Sequence, residues 1–437
     1  MKTVTAAQAV VSCIEKESIE HVFCVPGESY LPVLDALYDT PSINVIAGRH
    51  EGGASFMAEA YAKASGKPGV VMATRGVGAA NLSIGVHTAY QDSTPMVVFL
   101  GQVHRKFRGR EGFQEVDLDQ LFQPISKWAV EVNDPERMPE LVQRAFRIAQ
   151  TGRPGPVVVS LPEDVLPVEV ASVDLTPIVK PAPAPGKKEV EQVSQLLSKS
   201  KRPVMIAGGG VKSAGAEEAL QIFAEKYTLP VVSAFRRHDV FPNNHPLYTG
   251  HLGLGTHADI LDTVRQADTV LAIGTRLSEV TTQDYQLLHP DQTLIHIDIA
   301  ESVLGKSFPP SLGIVASADE ALEALKEMHV QCAWGKWTES RRLAYEQVSL
   351  LGDAVRESDM MRGMIASMQE QLPANTVITN DAGNFASWLH TFYQFKEKQT
   401  YVGPTSGAMG YGMPAAVGVK LARPHKTVVS LSGTEVL

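Results

Sequence analysis

Short apolar runs recur along the whole chain, and segments with the period of an α-helix lie between them. Each run is long enough for a strand buried on both faces and far shorter than the roughly 20 residues that span a bilayer. Strands that alternate with helices predict parallel sheets covered by helices on both sides. The clearest runs are 69–74, 95–101, 157–162, 203–207, 269–273, 293–298 and 376–381.

The chain of 437 residues is long enough for about three domains. Prolines alternate with alanines over 181–185, which predicts an extended linker at 177–187. We therefore expect an α/β protein with three doubly wound parallel-sheet domains, the third incomplete. The expected domains are 1–176, 188–334 and 335–437, and the last begins with a helical lead-in.

Composition excludes several classes of function. A formal net charge of −9 argues against non-specific nucleic-acid binding. The basic segment 105–110 either forms a solvated loop or attracts anionic groups. The three cysteines have no metal-like spacing, no signal peptide opens the chain, and no membrane span is expected, so a cytoplasmic protein is predicted. The cysteines are Cys13, Cys24 and Cys332.

Glu51 stands among small and apolar residues at the start of a predicted helix over 54–62. Because the apolar face of that helix must be buried, Glu51 is expected to enter the protein with it. A buried carboxyl group that faces a cavity suits proton exchange with a bound heterocycle. The alternative is a Glu51 that caps the helix or pairs with Arg49.

The segment after Glu51 predicts a strand–helix–strand unit. A strand over 69–74 breaks at the glycine-containing stretch 75–78, a helix follows to about residue 90, and a second strand covers 95–101. A basic loop then leads to Gly112-Phe113-Gln114-Glu115.

These motifs resemble the acetolactate synthase large-subunit group of thiamine diphosphate enzymes, which is related to pyruvate oxidases and 2-keto acid decarboxylases. The resemblance covers essentially the whole chain and implies a pyrimidine-binding, a central and a diphosphate-binding domain, in that order. It implies that Glu51 bonds the aminopyrimidine ring and promotes the tautomer that removes the thiazolium proton. It places Gln114 at the reacting centre beside Glu51, and Phe113 in the substrate wall.

Two alternatives stand for the central domain: it binds FAD, or it binds no cofactor. Three glycines at 208–210 follow a buried strand and favour either a phosphate at the next helix or a tight turn without a ligand. Flavin-binding relatives contact FAD in this domain, and many other relatives keep the domain without using it. Arg276 is either a surface ion-pair former or a contact for a phosphate or second substrate. The candidate FAD residues are Gly208, Gly209, Gly253, Arg276 and Asp298.

The third domain carries the residues that the resemblance assigns to the diphosphate. Gly383 and Asn384 follow a strand, and an Asx turn is the alternative reading. Met409 stands between glycines, where the family wedges a bulky residue between the two cofactor rings. Gly407 and Gly433 complete this candidate set.

After Gly433 the family has an aspartate and a glycine that open a magnesium motif. This chain has Thr434 and Glu435 there and ends at Leu437. Thr434 brings no carboxylate, so no metal ligand is predicted, and binding of thiamine diphosphate with Mg²⁺ is in doubt. We expect a C-terminally truncated protein.

The residues and the resemblance together leave two alternative functions. The first is an acetolactate-synthase-like lyase or transferase of branched-chain amino acid biosynthesis, impaired by the lost motif, which decarboxylates a 2-keto acid and transfers the acyl fragment. The second is a non-catalytic remnant or partner-binding subunit. The family places Glu51 against another subunit, which implies a homodimer or homotetramer. Glu28 replaces a small residue of the synthases and either alters acceptor preference or acts as an N-terminal helix acid.

Overall fold

The computed structural model describes residues 3–351 and 359–433. The chain divides into two compact units. The first comprises Met1–Pro181, Thr379–Ala382 and Pro404–Leu437, and the second comprises Ala182–Ile378 and Gly383–Gly403. Both units contain strands that alternate with helices, as the sequence pattern predicts.

Residues before the linker form a layered α/β structure. The strands are β1 (Thr3–Thr5), β2 (His21–Cys24), β3 (Asn44–Ala47), β4 (Gly69–Thr74), β5 (Met96–Gln102), β6 (Trp128–Glu131), β7 (Pro156–Pro162) and β8 (Glu169–Ala171). The helices are α1 (Ala6–Lys16), α2 (Leu31–Tyr38), α3 (Glu51–Ser65), α4 (Arg75–Asp92), α5 (Leu118–Phe122) and α6 (Met138–Gln150).

Six of these strands form a parallel sheet in the order β3-β2-β4-β5-β7-β6. Alternate residues of each strand enter two different cores, since successive side chains point to opposite faces. In β4, Val70 and Met72 join the core under α1 and α6, whereas Val71 and Ala73 join the core under α3 and α4. Burial on both faces explains why these strands read as continuous apolar runs.

The linker region 172–186 contains neither helix nor strand. The second unit then continues with α7 (Lys187–Ser198), β9 (Pro203–Ala207), α8 (Gly209–Ser213), α9 (Glu217–Tyr227), β10 (Val231–Ser233), β11 (Tyr248–His251), α10 (Ala258–Arg265), β12 (Thr269–Ile273), β13 (Thr293–Asp298), β14 (Leu312–Val315), α11 (Ala318–Leu325), α12 (Gly335–Ser349) and α13 (Met360–Gln371). Its sheet is parallel, in the order β11-β10-β9-β12-β13-β14.

The last elements are β15 (Val377–Asn380), α14 (Ala386–Phe392), β16 (Tyr401–Val402), α15 (Gly412–Ala422) and β17 (Val428–Leu431). Their sheet is small, with three strands in the order β16-β15-β17. The α/β class with several sheets, the third one small, is therefore confirmed. The domain boundaries at 176, 187 and 334 remain predictions. Within the described ranges, no helix combines the length and the apolar character needed to cross a membrane.

Candidate active site

The first sheet reverses its strand order between β2 and β4. From β2 the chain moves to β3 on one side, and it returns to β4 on the other side. In open parallel sheets, ligands bind in the crevice beyond the carboxyl ends of the two strands that flank such a point. Here that crevice is bordered by the loop that follows β2 and by α4, which begins directly after β4 at Arg75.

Glu51 is the first residue of α3 and is held against α4. His50 caps the helix, because its Nδ1 accepts a 3.0 Å hydrogen bond from the backbone N–H two residues later. Glu51 as a residue is partly buried, and its Oε2 accepts a 3.0 Å hydrogen bond from Nδ2 of Asn81 at a solvent-exposed position. A Cβ on Gly78 would lie 3.3 Å from Oε1 of Glu51. Among the described residues the recorded partner is Asn81, and Glu51 makes no ion pair with Arg49.

Gln114 reaches the same turn of α4 from the 108–116 loop. Its backbone carbonyl accepts a 3.1 Å hydrogen bond from the N–H of Gly76. Gln114 has a φ of +66°, and its Oε1 is buried without a hydrogen-bond partner among the described residues. A Cβ on Gly76 would lie 3.0 Å from that carbonyl, so glycine permits the approach. The first turn of α4 thus contacts both Glu51 and Gln114, while Phe113 is 73% exposed beside them.

The loop that carries Gln114 is fixed from inside by Glu115. The carboxylate accepts hydrogen bonds of 2.7 Å from the N–H of Gly109 and 2.8 Å from that of Gly112. These backbone donors hold the pKa of Glu115 below its usual value. Arg108 pairs with Glu115, and Arg105 pairs with Asp164. Two cations of the basic segment are therefore neutralised within the protein.

Arg75 was not recognised from the sequence as part of the site. It begins α4 with a φ of +40° and is 9% exposed. Its Nη2 lies 2.9 Å from Oε2 of Glu163, and its Nη1 lies 3.6 Å from Oε1 of Glu28. Its Nε is buried without a hydrogen-bond partner in the described part of the chain. The sequence feature that could have indicated a site role for Arg75 is its position directly after a buried strand.

Gly407 and Met409 lie in the loop before α15, and Met409 is 62% exposed. This loop is bound to the middle of α3 and to the far end of α4 from Glu51. The bonds join Thr405 N to Asp92 Oδ2 (3.0 Å), Ser406 Oγ to Thr88 Oγ1 (3.0 Å) and Tyr411 OH to Glu59 Oε2 (2.5 Å). Gly433 follows β17 and ends the described range.

Gly383 and Asn384 are exposed in the turn between β15 and α14, in the second unit. Their backbone carbonyls accept hydrogen bonds from the N–H groups of Ala386 (3.1 Å) and Ser387 (3.0 Å). These bonds shape the turn through the main chain. The contact of Gly383 and Asn384 with a diphosphate remains a prediction.

The glycines proposed for FAD are packed against protein atoms. A Cβ on Gly208 would lie 2.2 Å from the carbonyl oxygen of Gly274, and a Cβ on Gly209 would lie 2.7 Å from Nε of Arg237. A Cβ on Gly253 would lie 2.8 Å from the ring of Phe235. Close packing therefore accounts for these glycines without a ligand.

The other two residues predicted to contact FAD are Asp298 and Arg276. Asp298 is buried, and its Oδ1 accepts a 2.9 Å hydrogen bond from the N–H of Ala300. Arg276 is partly buried. Neither observation points to a flavin, so the FAD prediction rests on the resemblance alone.

The predicted loss of a metal ligand concerns Thr434, which lies outside the described residues. Within the residues that are described, no group of three or more His, Cys, Asp or Glu side chains is arranged to hold a metal ion.

Comparison with known proteins places the chain in a class. Three thiamine pyrophosphate enzyme domain families match it: the N-terminal TPP binding domain over 4–121, the central domain over 190–325 and the C-terminal TPP binding domain over 381–434. The chain thus belongs to the thiamine pyrophosphate enzymes.

Within that class, the chain belongs to the acetolactate synthase large-subunit family. It is 35% identical to the probable acetolactate synthase large subunit of Methanocaldococcus jannaschii, over 98% of this chain and 75% of the relative. It is 33% identical to the large subunit of Lactococcus lactis (99% and 76%) and 32% identical to isozyme 3 of Escherichia coli (99% and 78%). The chain spans about three-quarters of the length of these relatives.

Proposed function

We propose that the protein uses thiamine diphosphate to decarboxylate a 2-keto acid and to transfer the acyl fragment to an acceptor, as the name acetolactate synthase implies for its relatives. The observation that carries the proposal is the carboxylate of Glu51, oriented by Asn81 in the crevice where the strand order reverses. A carboxyl group positioned in this way is suited to general acid–base exchange with a ring nitrogen.

The residues around Glu51 fit a heterocyclic cofactor. Gln114 presents a buried amide oxygen without a partner, which is the kind of acceptor that a ligand donor satisfies. Gly76 and Gly78 let α4 approach the carbonyl of Gln114 and the carboxylate of Glu51 without a side chain at these two positions. When bound, thiamine diphosphate supplies an acidic thiazolium carbon. Glu51 would hold the ring nitrogen and exchange a proton there, and Phe113 would form part of the substrate wall.

The remaining assignments rest on the family resemblance. Gly383, Asn384, Gly407, Met409 and Gly433 would contact the diphosphate or separate the cofactor rings, and Mg²⁺ would accompany the diphosphate. FAD in the second unit and a homodimer or homotetramer belong to the same proposal. Impaired turnover and the alternative of a non-catalytic, partner-binding subunit remain proposals of the same standing.

Titration calorimetry with thiamine diphosphate, with and without MgCl₂, distinguishes the two functions. The enzyme hypothesis predicts metal-dependent binding with a Kd on the order of micromolar, since charged ligands in preformed crevices reach this range. Glu51→Gln should weaken binding, and Glu169→Gln, at an exposed strand distant in sequence, should not. No metal-dependent heat at all would contradict the proposal and favour the non-catalytic alternative.

A further inference from the structure

A buried ion-pair network joins α3 to α4 in the first unit. The ammonium of Lys63, in the last turn of α3, lies 2.8 Å from Oε1 of Glu59 and 3.1 Å from Oδ2 of Asp92. Both carboxylate side chains are fully buried, and that of Lys63 is 16% exposed. Asp92 is the last residue of α4. Because these charges lie away from water, salt screens their attraction little, and Lys63 links the two helices at this end.

The same two carboxylates bind opposite ends of the loop before α15. Asp92 accepts a 3.0 Å hydrogen bond from the backbone N–H of Thr405, where the loop begins. Glu59 accepts a 2.5 Å hydrogen bond from the hydroxyl of Tyr411, where the loop ends. Lys63 Nζ donates to the same hydroxyl at 3.4 Å and lies 5.3 Å from the centroid of the Tyr411 ring. One ammonium therefore contacts both carboxylates that anchor the loop.

Met409 lies between these two anchors. Gly407 and Gly410 have φ values of +70° and +76°, in the left-handed region that glycine adopts readily, so the backbone turns sharply on both sides of Met409. Near the first anchor, Ser406 Oγ lies 3.0 Å from Oγ1 of Thr88. The side chain of Met409 is 62% exposed. Its position therefore depends mainly on where the two ends of the loop are held.

Resting on the proposed function, in which Met409 separates the two cofactor rings, we propose that Lys63 is a positioning residue for thiamine diphosphate. By binding Glu59 and Asp92 together, Lys63 fixes the distance between the two ends of the loop and thereby the position of Met409. Lys63 acts through the loop and exchanges no proton with the cofactor. Loss of Lys63 should therefore displace Met409, and a displacement of about 1 Å in a group that orients a ligand is costly.

The first measurement follows Met409 by NMR in the full chain without ligand. The methionine methyl groups are labelled with ¹³C, and the Met409 signal among the 13 methionines is identified by its loss in Met409→Leu. Lys63→Gln should shift or broaden this signal. Lys63→Arg, which keeps the positive charge, should leave it close to its original position. The second measurement is the Kd of the same proteins for thiamine diphosphate with MgCl₂, by calorimetry.

We expect Lys63→Gln to raise the Kd about tenfold or more, and Lys63→Arg to restore most of the affinity. The matched control is Lys67→Gln, which removes the same charge from an exposed pair with Glu20 just beyond α3. It should change neither the Met409 signal nor the Kd. If Lys63→Gln does not fold, Tyr411→Phe carries the test, because it removes one anchoring hydrogen bond and leaves the charges in place. It should shift the Met409 signal by a smaller amount.

Urea unfolding separates positioning from stability. A Lys63→Gln or Tyr411→Phe protein that loses stability but keeps the Met409 signal and the Kd would overturn the proposal, because these residues would then act on stability alone. An equal change in Lys67→Gln would also overturn it, since the effect would then follow net charge. Absence of thiamine diphosphate binding by the unaltered protein would overturn the proposed function and, with it, the role of Lys63 toward the cofactor. That failure is distinct, because the Met409 signal is read without ligand.

Discussion

The first turn of α4 combines one arginine and two glycines, and each of them has a separate partner. Arg75 pairs with acidic side chains, Gly76 binds the Gln114 loop and Gly78 leaves room for Glu51. A Cβ at Gly76 would overlap Val116 at 2.5 Å, and a Cβ at Gly78 would make a tight contact of 3.3 Å with Oε1 of Glu51. The chemistry proposed for the crevice would therefore depend on close contacts to a helix terminus, where small displacements matter.

At this scale we predict that Asn81→Ala impairs the action of Glu51 with little loss of stability. The variant removes the 3.0 Å hydrogen bond to Glu51 from an exposed position, so the free energy of unfolding should change by less than about 1 kcal/mol. Proton exchange at the bound thiazolium should slow about tenfold, since a bond to a charged group is lost. The control is Ser83→Ala on the same helix. Equal exchange rates in both variants would contradict the role of Asn81.

The sequence predicted Glu51 and Gln114 as site residues, and both lie against the first turn of α4, Glu51 from α3 and Gln114 from the 108–116 loop. Asn81 and Arg75 were not predicted, because their roles depend on which side chains meet them across the crevice. The alternative prediction that Glu51 caps α3 is wrong, because the side chain of His50 accepts the hydrogen bond from the backbone N–H of Gly52. Cap identity is decided by side-chain direction, which spacing alone does not give.

At the scale of elements, glycine allows helices to pack at unusually short range. A Cβ on Gly418 of α15 would lie 2.2 Å from the carbonyl oxygen of Met57 in α3, and a Cβ on Gly85 of α4 would lie 2.0 Å from Oγ of Ser55. Helix α3, which carries Glu51, is thus packed closely against two helices. This packing holds Glu51 at a fixed position.

Gly418→Ala should destabilise the first unit by about 1–3 kcal/mol, because the added methyl group meets backbone that cannot move aside. Urea unfolding followed by circular dichroism measures the change. The matched control is Gly335→Ala, at the start of α12, where a Cβ meets nothing within 4 Å. That variant should be neutral or stabilise by up to about 1 kcal/mol. Equal effects in the two variants would show that α3 and α15 are not tightly packed.

Buried parallel strands were the elements that the sequence predicted best. The bounds of β4, β9, β12 and β13 match the apolar runs, because burial on both faces leaves an uninterrupted signal. The start of α4 was placed at about residue 79, whereas the helix begins at Arg75. Glycines in its first turn look like breakers, and their tertiary contacts are not visible in the sequence. The short antiparallel pair β1 and β8 carries no periodic signal and was missed.

At the scale of the molecule, the second unit contains three clustered imidazoles. The ring of His238 lies 4.3 Å from that of His390 and 4.7 Å from that of His251, centroid to centroid. Burial lowers the pKa of all three, that of His251 to about 4. His390 also contacts the hydroxyl of Tyr401 at 3.0 Å. Burial therefore disfavours the charged form of these imidazoles near neutral pH.

Acidification should destabilise the second unit. The folded pKa values lie below the unfolded value of about 6.5, so the unfolded chain binds more protons as pH falls below that value. The stability present above pH 6.5 is lost progressively toward pH 4, and His251 alone contributes roughly 3 kcal/mol. Urea unfolding at several pH values measures this loss. His238→Leu should flatten the pH dependence, and the exposed control His289→Leu should not.

The central claim is that Glu51 exchanges a proton with bound thiamine diphosphate. The most direct measurement is the rate at which the thiazolium C2 proton exchanges with deuterium in the holoprotein, read by NMR after acid quenching. Calorimetry on the same samples establishes that the cofactor is bound. In Glu51→Gln, exchange should slow by about 100-fold or more, as expected for loss of a general acid–base group. The same rate in both proteins, with the cofactor bound in each, would contradict the assignment of Glu51.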